Sequence, residues 1–221
     1  HALDDEIKER LEELYVDYFF RSHEVFWQAR ALEKLPVMRQ ASDMLLCGED
    51  LGMVPDCVPG VLQETGILSL EIQRMPKQSE VDFSDPAAAP YMSVVSPSTH
   101  DMSVLRAWWK ENREVTRNFA RQLLGMHEPS EEMSPETVTR VIHQHLESPA
   151  MWAVFPIQDL LGMDEALRHP DPEAERINVP AIHPHYWRYR MHLALEQLAD
   201  EEDFNVRMRR LLGVTGRLCG T

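Results

Sequence analysis

Apolar residues recur at helical spacing through the opening of the chain. Leu3, Ile7, Leu11, Leu14, Tyr18, Val25, Ala29 and Leu32 follow one another at intervals of three, four or, across Ser22, seven, the signature of one long amphipathic helix. Asp4, Asp5 and Glu6 crowd its first turn, where the helix dipole favours negative charge, and Pro36 is expected to stop it. Such a stripe needs a partner, and no element precedes it, so the pattern implies that the chain starts inside a larger domain. Ala41 to Leu46 then turns apolar (Met44, Leu45, Leu46) and runs into Cys47-Gly48-Glu49-Asp50-Leu51-Gly52. A short apolar run closing on two adjacent acids between glycines predicts a buried strand delivering carboxylates to a loop. A solvated acidic turn after a strand is the plainer alternative.

Further on, Pro55 to Glu64 predicts a short helix ended by Gly66, and Ile67 to Ile72 a second strand. Pro76 to Pro90 is a long proline-rich loop of the kind that tends to carry function. Tyr91 to Ser96 predicts a third strand, followed by Pro97-Ser98-Thr99-His100-Asp101. Helical spacing returns from Met102 to Leu124. Ser134-Pro135-Glu136 is a helix start, with Ser as N-cap and Pro at the first helical position, and that helix runs to Leu146 before Pro149. Met151 to Phe155 predicts a fourth strand, continued by Pro156-Ile157-Gln158-Asp159-Leu160-Leu161-Gly162. His169 to Pro184 is an excursion loop. Tyr186 to Leu198 and Phe204 to Leu212 predict closing helices, with Gly213 as C-terminal cap. This alternating order is α/β, and four strands fit either half of a (β/α)₈ barrel or a small open sheet.

Bulk properties narrow the chemistry. The 221 residues allow one large domain or two small ones. A net charge of −15 argues against nucleic acid and against an anionic membrane face, and no apolar run approaches the ~20 residues of a membrane span. The cysteines, Cys47, Cys57 and Cys219, are odd in number and lack metal-like spacing, which favours a reducing cytoplasmic compartment.

Two strand ends carry acids: Glu49-Asp50 and His100-Asp101. In a parallel, barrel-like sheet both would project over the same face. Paired carboxylates over one mouth are what glycosidic chemistry requires, one donating a proton to the leaving oxygen and another stabilising a positively charged sugar centre. Asp101 could instead cap the next helix. His143-x-His145 falls mid-helix, where residues two apart do not share a face, and His183-x-His185 flanks a proline, so neither pair makes a convincing metal site. Trp108-Trp109 reads as core plus surface, and no glycine-rich phosphate loop is present.

Taken together, Gly48-Glu49-Asp50-Leu51-Gly52 with Pro55 and Val58, Ser98-Thr99-His100-Asp101, Gln158-Asp159-Leu160-Leu161-Gly162 and Arg176-Ile177-Asn178-x-Pro180 occur in the order of one family. From about residue 3 to its end, the chain resembles the C-terminal half of the 4-α-glucanotransferases, the amylomaltases or disproportionating enzymes. His100-Asp101-Met102, where the better-known bacterial enzymes usually have His-Asp-Asn, and Glu71-Ile72-Gln73-Arg74-Met75 make it more similar to the subgroup containing the plant cytosolic disproportionating enzyme. The resemblance implies an α/β fold, the C-terminal half of a (β/α)₈ TIM-type barrel (about strands five to eight) with helical insertions. It implies retaining double displacement on α-1,4-glucans and maltooligosaccharides, with no cofactor and no metal. By the same resemblance Glu49 matches the general acid/base and Asp101 the transition-state-stabilising aspartate. His100 matches a histidine of the same sugar subsite, and Asp50 and Asn178 match positions lining the site.

One departure stands out. The family's nucleophile is an aspartate in an Arg-x-Asp-His setting on the strand before the long first helix, and this chain has no such strand; Asp4 and Asp5 sit at a helix start. The expectation is therefore a fragment that is inactive alone and can self-associate through exposed half-barrel edges. An α-glucan hydrolase fragment and a non-catalytic glucan-binding module are the rival readings.

Overall fold

The structure, a computed structural model, describes residues 3–52 and 54–218; Cys219 lies outside them. The chain divides into two compact units, His1–Leu70 and Glu71–Thr221.

In the first unit, α1 (Asp5–Asp17) passes through a π-helical turn (Tyr18–Ser22) into α2 (His23–Gln40). The wider turn falls where aromatic side chains crowd: Tyr15 contacts Phe19 with ring centroids 4.8 Å apart, Tyr18 contacts His23 at 4.9 Å, and His23 contacts Trp27 at 3.9 Å. Pro36 does not end the helix as expected; it lies inside α2. A proline ring is compatible with helical φ and forfeits one backbone bond, and the residues beyond it are anchored elsewhere. Arg39 Nη1 donates to the Thr65 carbonyl at 3.0 Å, at the last residue of α3 (Cys57–Thr65). At the other end of α3, both Glu24 carboxylate oxygens accept backbone bonds, from Asp56 N at 3.0 Å and Cys57 N at 2.8 Å. α2 thus places an acid at the positive end of the α3 dipole and a base at its negative end. α3 closes on Gly66, at φ +66°, where an added Cβ would sit 3.0 Å from Arg39 Nη1.

The expected strand over 41–46 is reduced to one parallel bridge, Cys47 with Leu68. Leu68 N donates to the Leu46 carbonyl at 2.9 Å and Gly48 N to the Leu68 carbonyl at 2.8 Å. Met44 and Leu45 remain exposed.

The strand β1 (Ser69–Ile72) ends at the start of the second unit, in a three-stranded sheet of order β1-β2-β3 with β2 (Ser93–Ser96) and β3 (Trp152–Ala153). β2 and β3 are parallel, with Val94 opposite Trp152 and Val95 opposite Ala153. β3 is shorter than the Met151–Phe155 pattern, although Met151 N donates to the Tyr91 carbonyl at 2.8 Å and Val154 N to the Val95 carbonyl at 3.0 Å on either side of it.

The predicted helix over 102–124 is two, α4 (Leu105–Glu111) and α5 (Arg113–Leu124). Asn112 divides them: its backbone is extended, and its side-chain oxygen accepts from Glu114 N at 3.0 Å and Val115 N at 3.3 Å. α6 (Pro135–Glu147) begins as expected, with Ser134 Oγ accepting from Thr137 N. After α7 (Ile157–Leu161) and a 3₁₀ turn over Pro172–Glu175, the chain is irregular to residue 194, so the helix expected from Tyr186 begins only at α8 (Leu195–Asp200). α9 (Glu202–Val214) continues past Gly213, which is not its cap; Thr215 takes that place.

The core of this unit gathers Leu105 and Trp109 from α4, Phe119 from α5, Val138, Val141 and Ile142 from α6, and Leu161 and Met163, each at most 1% exposed. Burying such side chains is worth roughly 1.5–3 kcal/mol apiece. Trp109 is buried and Trp108 only partly so, as the core-plus-surface reading has it.

Candidate functional site

In the second unit, β2 runs out at Ser96 into the segment Pro97 to Val104, which leads into α4. Met102 N donates to the Thr99 carbonyl at 3.2 Å, closing a turn whose two central residues are His100 and Asp101. Asp101 N is 3.3 Å from Thr99 Oγ1. Both side chains are 46% exposed, and His100 Nε2 lies 3.4 Å from Asp101 Oδ1, an ion pair when the imidazole is protonated.

Asn178, far along the chain in the excursion loop, joins them. Its Nδ2 donates to Asp101 Oδ1 at 2.5 Å and its backbone N to the His100 carbonyl at 3.1 Å. Arg176 Nε donates to the Asn178 carbonyl at 3.1 Å, and Arg176 Nη1 is 3.7 Å from Glu111 Oε1 on α4. Three of the five residues singled out in the sequence therefore meet at one exposed turn. Capping is not what Asp101 does: the N–H of Leu105 at the start of α4 donates to Asp159 Oδ1 instead, at 2.8 Å.

Glu49 and Asp50 belong to the first unit. Glu49 is exposed. Asp50 is 9% exposed, and its Oδ1 accepts from Leu70 N at 2.7 Å, so one of its oxygens is engaged by the backbone where β1 begins. Gly48, just before them, allows the backbone to pass close to α3: an added Cβ would be 3.3 Å from Leu62 Cδ2.

Some neighbours of the turn gain no role from the sequence alone. Trp187 is exposed, and its ring lies 4.9 Å from that of His100, tilted by 43°. It falls in the aromatic-rich tract Tyr186-Trp187-Arg188-Tyr189, which the sequence predicts as helix and which is irregular. Arg74 and Asp159 are buried charges below the turn. The carboxylate of Asp159 within the apolar run Ile157-Gln158-Asp159-Leu160-Leu161 was the available signal, since a charge on a buried face requires partners. Asp159 is pushed above the usual carboxylate range by burial, an effect opposed by the Leu105 N–H, Arg74 and Ser98. Burial likewise draws Arg74 down to about 10.

The histidine pairs have structural surroundings. His143 Nδ1 is 3.0 Å from Glu147 Oε2 on the next turn of α6. His145 is fully buried with Nδ1 at 2.8 Å from the Val141 carbonyl, and burial lowers its pKa to about 4. His185 Nε2 is 3.0 Å from the Ile177 carbonyl. Among the described residues, no group of three or more His, Cys, Asp or Glu converges on a point. No helix among them is long and apolar enough to cross a membrane.

A profile of the family described as 4-alpha-glucanotransferase matches residues 2–196. The chain is 42% identical over 216 residues to the 4-alpha-glucanotransferase DPE2 of Oryza sativa subsp. japonica, across 97% of this chain and 23% of that protein. It is 32% identical over 184 residues to the 4-alpha-glucanotransferase of Chlamydia pneumoniae, across 81% of this chain and 34% of that protein. In three dimensions it is similar to the amylomaltase from Streptococcus agalactiae in complex with acarbose, with a TM-score of 0.60 and 18% identity over 85% of this chain and 35% of that one. The chain thus spans only about a quarter to a third of the length of these relatives.

Proposed function

The chain belongs to the 4-alpha-glucanotransferase family, and from that premise we propose that it is the part of a longer glucan-remodelling enzyme that carries the proton donor. The enzyme transfers α-1,4-glucan segments between maltooligosaccharides by a retaining double displacement. On this reading the fold is the C-terminal half of a (β/α)₈ barrel with helical insertions, and the compartment is cytoplasmic.

The observation that carries the proposal is the constellation around Asp101. An exposed carboxylate oriented by Asn178, an imidazole 3.4 Å away and an exposed indole beside it make up a sugar-binding set. The carboxylate and imidazole engage hydroxyls, and an aromatic face suits the C–H face of a pyranose. Asp101 holds hydroxyls of the sugar at the reacting centre more tightly as positive charge develops there, which is differential stabilisation of the transition state. Glu49 protonates the departing glycosidic oxygen and later takes the proton of the acceptor hydroxyl, a role worth about 10² to 10⁴ in rate. Asp50 and Asn178 take the site-lining roles that the resemblance gives them.

The 221 residues contain no Arg-x-Asp-His sequence, the setting in which the resemblance puts the trapping carboxylate. The polypeptide by itself is therefore expected to be inactive, for want of a group to form the glycosyl-enzyme intermediate. Incubation with maltotriose tests this: the chain alone should release no glucose, whereas the full-length enzyme should produce glucose and longer oligosaccharides. In the full-length enzyme Glu49→Gln should lower transfer by at least about a hundredfold; retained transfer removes Glu49 from its role. Products confined to shorter sugars would make the enzyme a hydrolase. Oligosaccharide binding without turnover in the full-length protein would make it a binding module.

A further inference from the structure

The turn that carries His100 and Asp101 is exposed, yet its two stems are held from beneath by the same pair of buried side chains. Arg74, two residues past β1, reaches both stems through one guanidinium: Nε donates to the Pro97 carbonyl at 2.9 Å and Nη2 to the Ser103 carbonyl at 2.5 Å. Asp159, on α7, does the same with opposite polarity. Its Oδ2 accepts from Ser98 Oγ at 2.9 Å and its Oδ1 from Leu105 N at 2.8 Å. Each side chain therefore bridges the entry of the segment to its exit, one through acceptors and the other through donors. The two charges offset each other, and Arg74 also lies over the Trp108 ring at 4.8 Å. Asp159 is 2% exposed, Ser98 4% and Arg74 9%.

A turn of this sort, left to itself, would sample many conformations, and its tip is half exposed. Two buried charges are a costly way to fasten a connection when apolar side chains would pack there without loss. Their geometry is specific to fixing the separation and twist of the two stems, since bidentate charge-assisted bonds set orientation as well as distance. From above, Asn178 holds the tip, and Ser103 Oγ also bonds Glu111, which faces Arg176.

We propose that Arg74 and Asp159, with Ser98 as the hydroxyl partner, are positioning residues for the transferase reaction: they form a double clamp that fixes where the Asp101 carboxylate stands. The proposal rests on the role given to Asp101 above. Neither side chain touches the sugar; a displacement of about 1 Å at the reacting centre is enough to cost on the order of a hundredfold in rate.

The test is a double-mutant cycle in the full-length enzyme, with disproportionation of maltotriose as the reaction. Ser98→Ala should lower kcat about tenfold or more, and Arg74→Lys or Asp159→Asn about a hundredfold, with KM changed by less than about twofold. In an Asp101→Asn background the same Ser98→Ala change should cost less than about twofold, because the group it positions is already gone. Hydrogen exchange supplies the second readout, with faster exchange in Ser98→Ala confined to residues 97–105 while α6 keeps its protection. Equal losses with and without Asp101, or unchanged exchange in 97–105, overturn the clamp. Full activity of Asp101→Asn alone overturns the role of Asp101 itself, so the two failures are distinguishable. If Asp159→Asn does not fold, Ser98→Ala carries the test, since it removes one oxygen and leaves both charges in place.

Discussion

Glu175 shows how much a single residue can depend on a neighbourhood that the sequence does not display. It sits in the 3₁₀ turn before Arg176, its side chain is 1% exposed, and its nearest cation is Arg106 Nη1 at 3.6 Å. Among the described residues neither carboxylate oxygen has a hydrogen-bond partner. Burial raises its pKa to about 7, Arg106 pulls in the other direction, and Asp159 adds to the rise. A raised carboxylate binds its proton more tightly in the folded chain than in the unfolded one. Its contribution to stability is therefore complete below about pH 4.5 and lost as pH climbs through about 7. Thermal unfolding of Glu175→Gln and of the parent between pH 4.5 and 7.5 should diverge by a slope approaching one proton, with the parent losing stability as pH rises. Parallel curves would mean that Glu175 is not buried as described. At this scale the sequence was most informative where a residue type had one use. His100, Asp101 and Asn178 were picked out by their motifs and do meet at one turn. Arg74 and Asp159 lie in motifs that carry the resemblance yet gain no role from them, and Trp187 lies in none, because a charge or an indole in a sequence does not say what it faces.

At the scale of elements, local signals were read well where chemistry and backbone agree. Ser134-Pro135-Glu136 started α6, and Gly66 ended α3. They failed where a side chain from a distant position supplied what the local sequence lacked. α3 is capped by Glu24, thirty-three residues before Cys57, and α2 continues through Pro36 to reach Arg39 and Thr65. Periodicity also ran α4 and α5 together, since Val115 follows Trp108 at an interval of seven and only the cap geometry at Asn112 divides the two. Asn112→Ala removes two bonds to α5 N–H groups and should cost about 1 kcal/mol, with a range of roughly 0.5–2. Urea unfolding checks this, and a midpoint unchanged from the parent would assign the break to the backbone alone. The irregular run from 186 to 194, where the sequence predicts a helix, is the largest element-level departure. Its aromatic and basic residues have helix-compatible spacing, yet the chain there follows the Asp101 turn.

For the molecule as a whole, the first unit leaves much of its helical stripe uncovered: Leu11, Leu14, Phe20, Val25 and Phe26 are all at least half exposed. Apolar surface of that extent marks a face that is covered by something else. The polypeptide on its own should therefore self-associate, with a concentration-dependent mass in light scattering; a strictly monomeric mass would argue against it. The 42% identity to the rice relative agrees with the likeness to the plant subgroup drawn from His100-Asp101-Met102 and Glu71 to Met75. The family was thus legible in the order of four short motifs.

By itself the sequence determined the family, most of the helices and the identity of the residues at the Asp101 turn, because motifs and periodicity are local and survive without coordinates. Only the tertiary structure decided that Asn178 bonds Asp101 across 77 residues and that Asp159, not Asp101, caps α4. It alone revealed that Arg74 and Asp159 hold the stems of that turn from below. Each of these depends on where segments distant in sequence come together, and burial then makes every such contact obligatory for the polar groups involved.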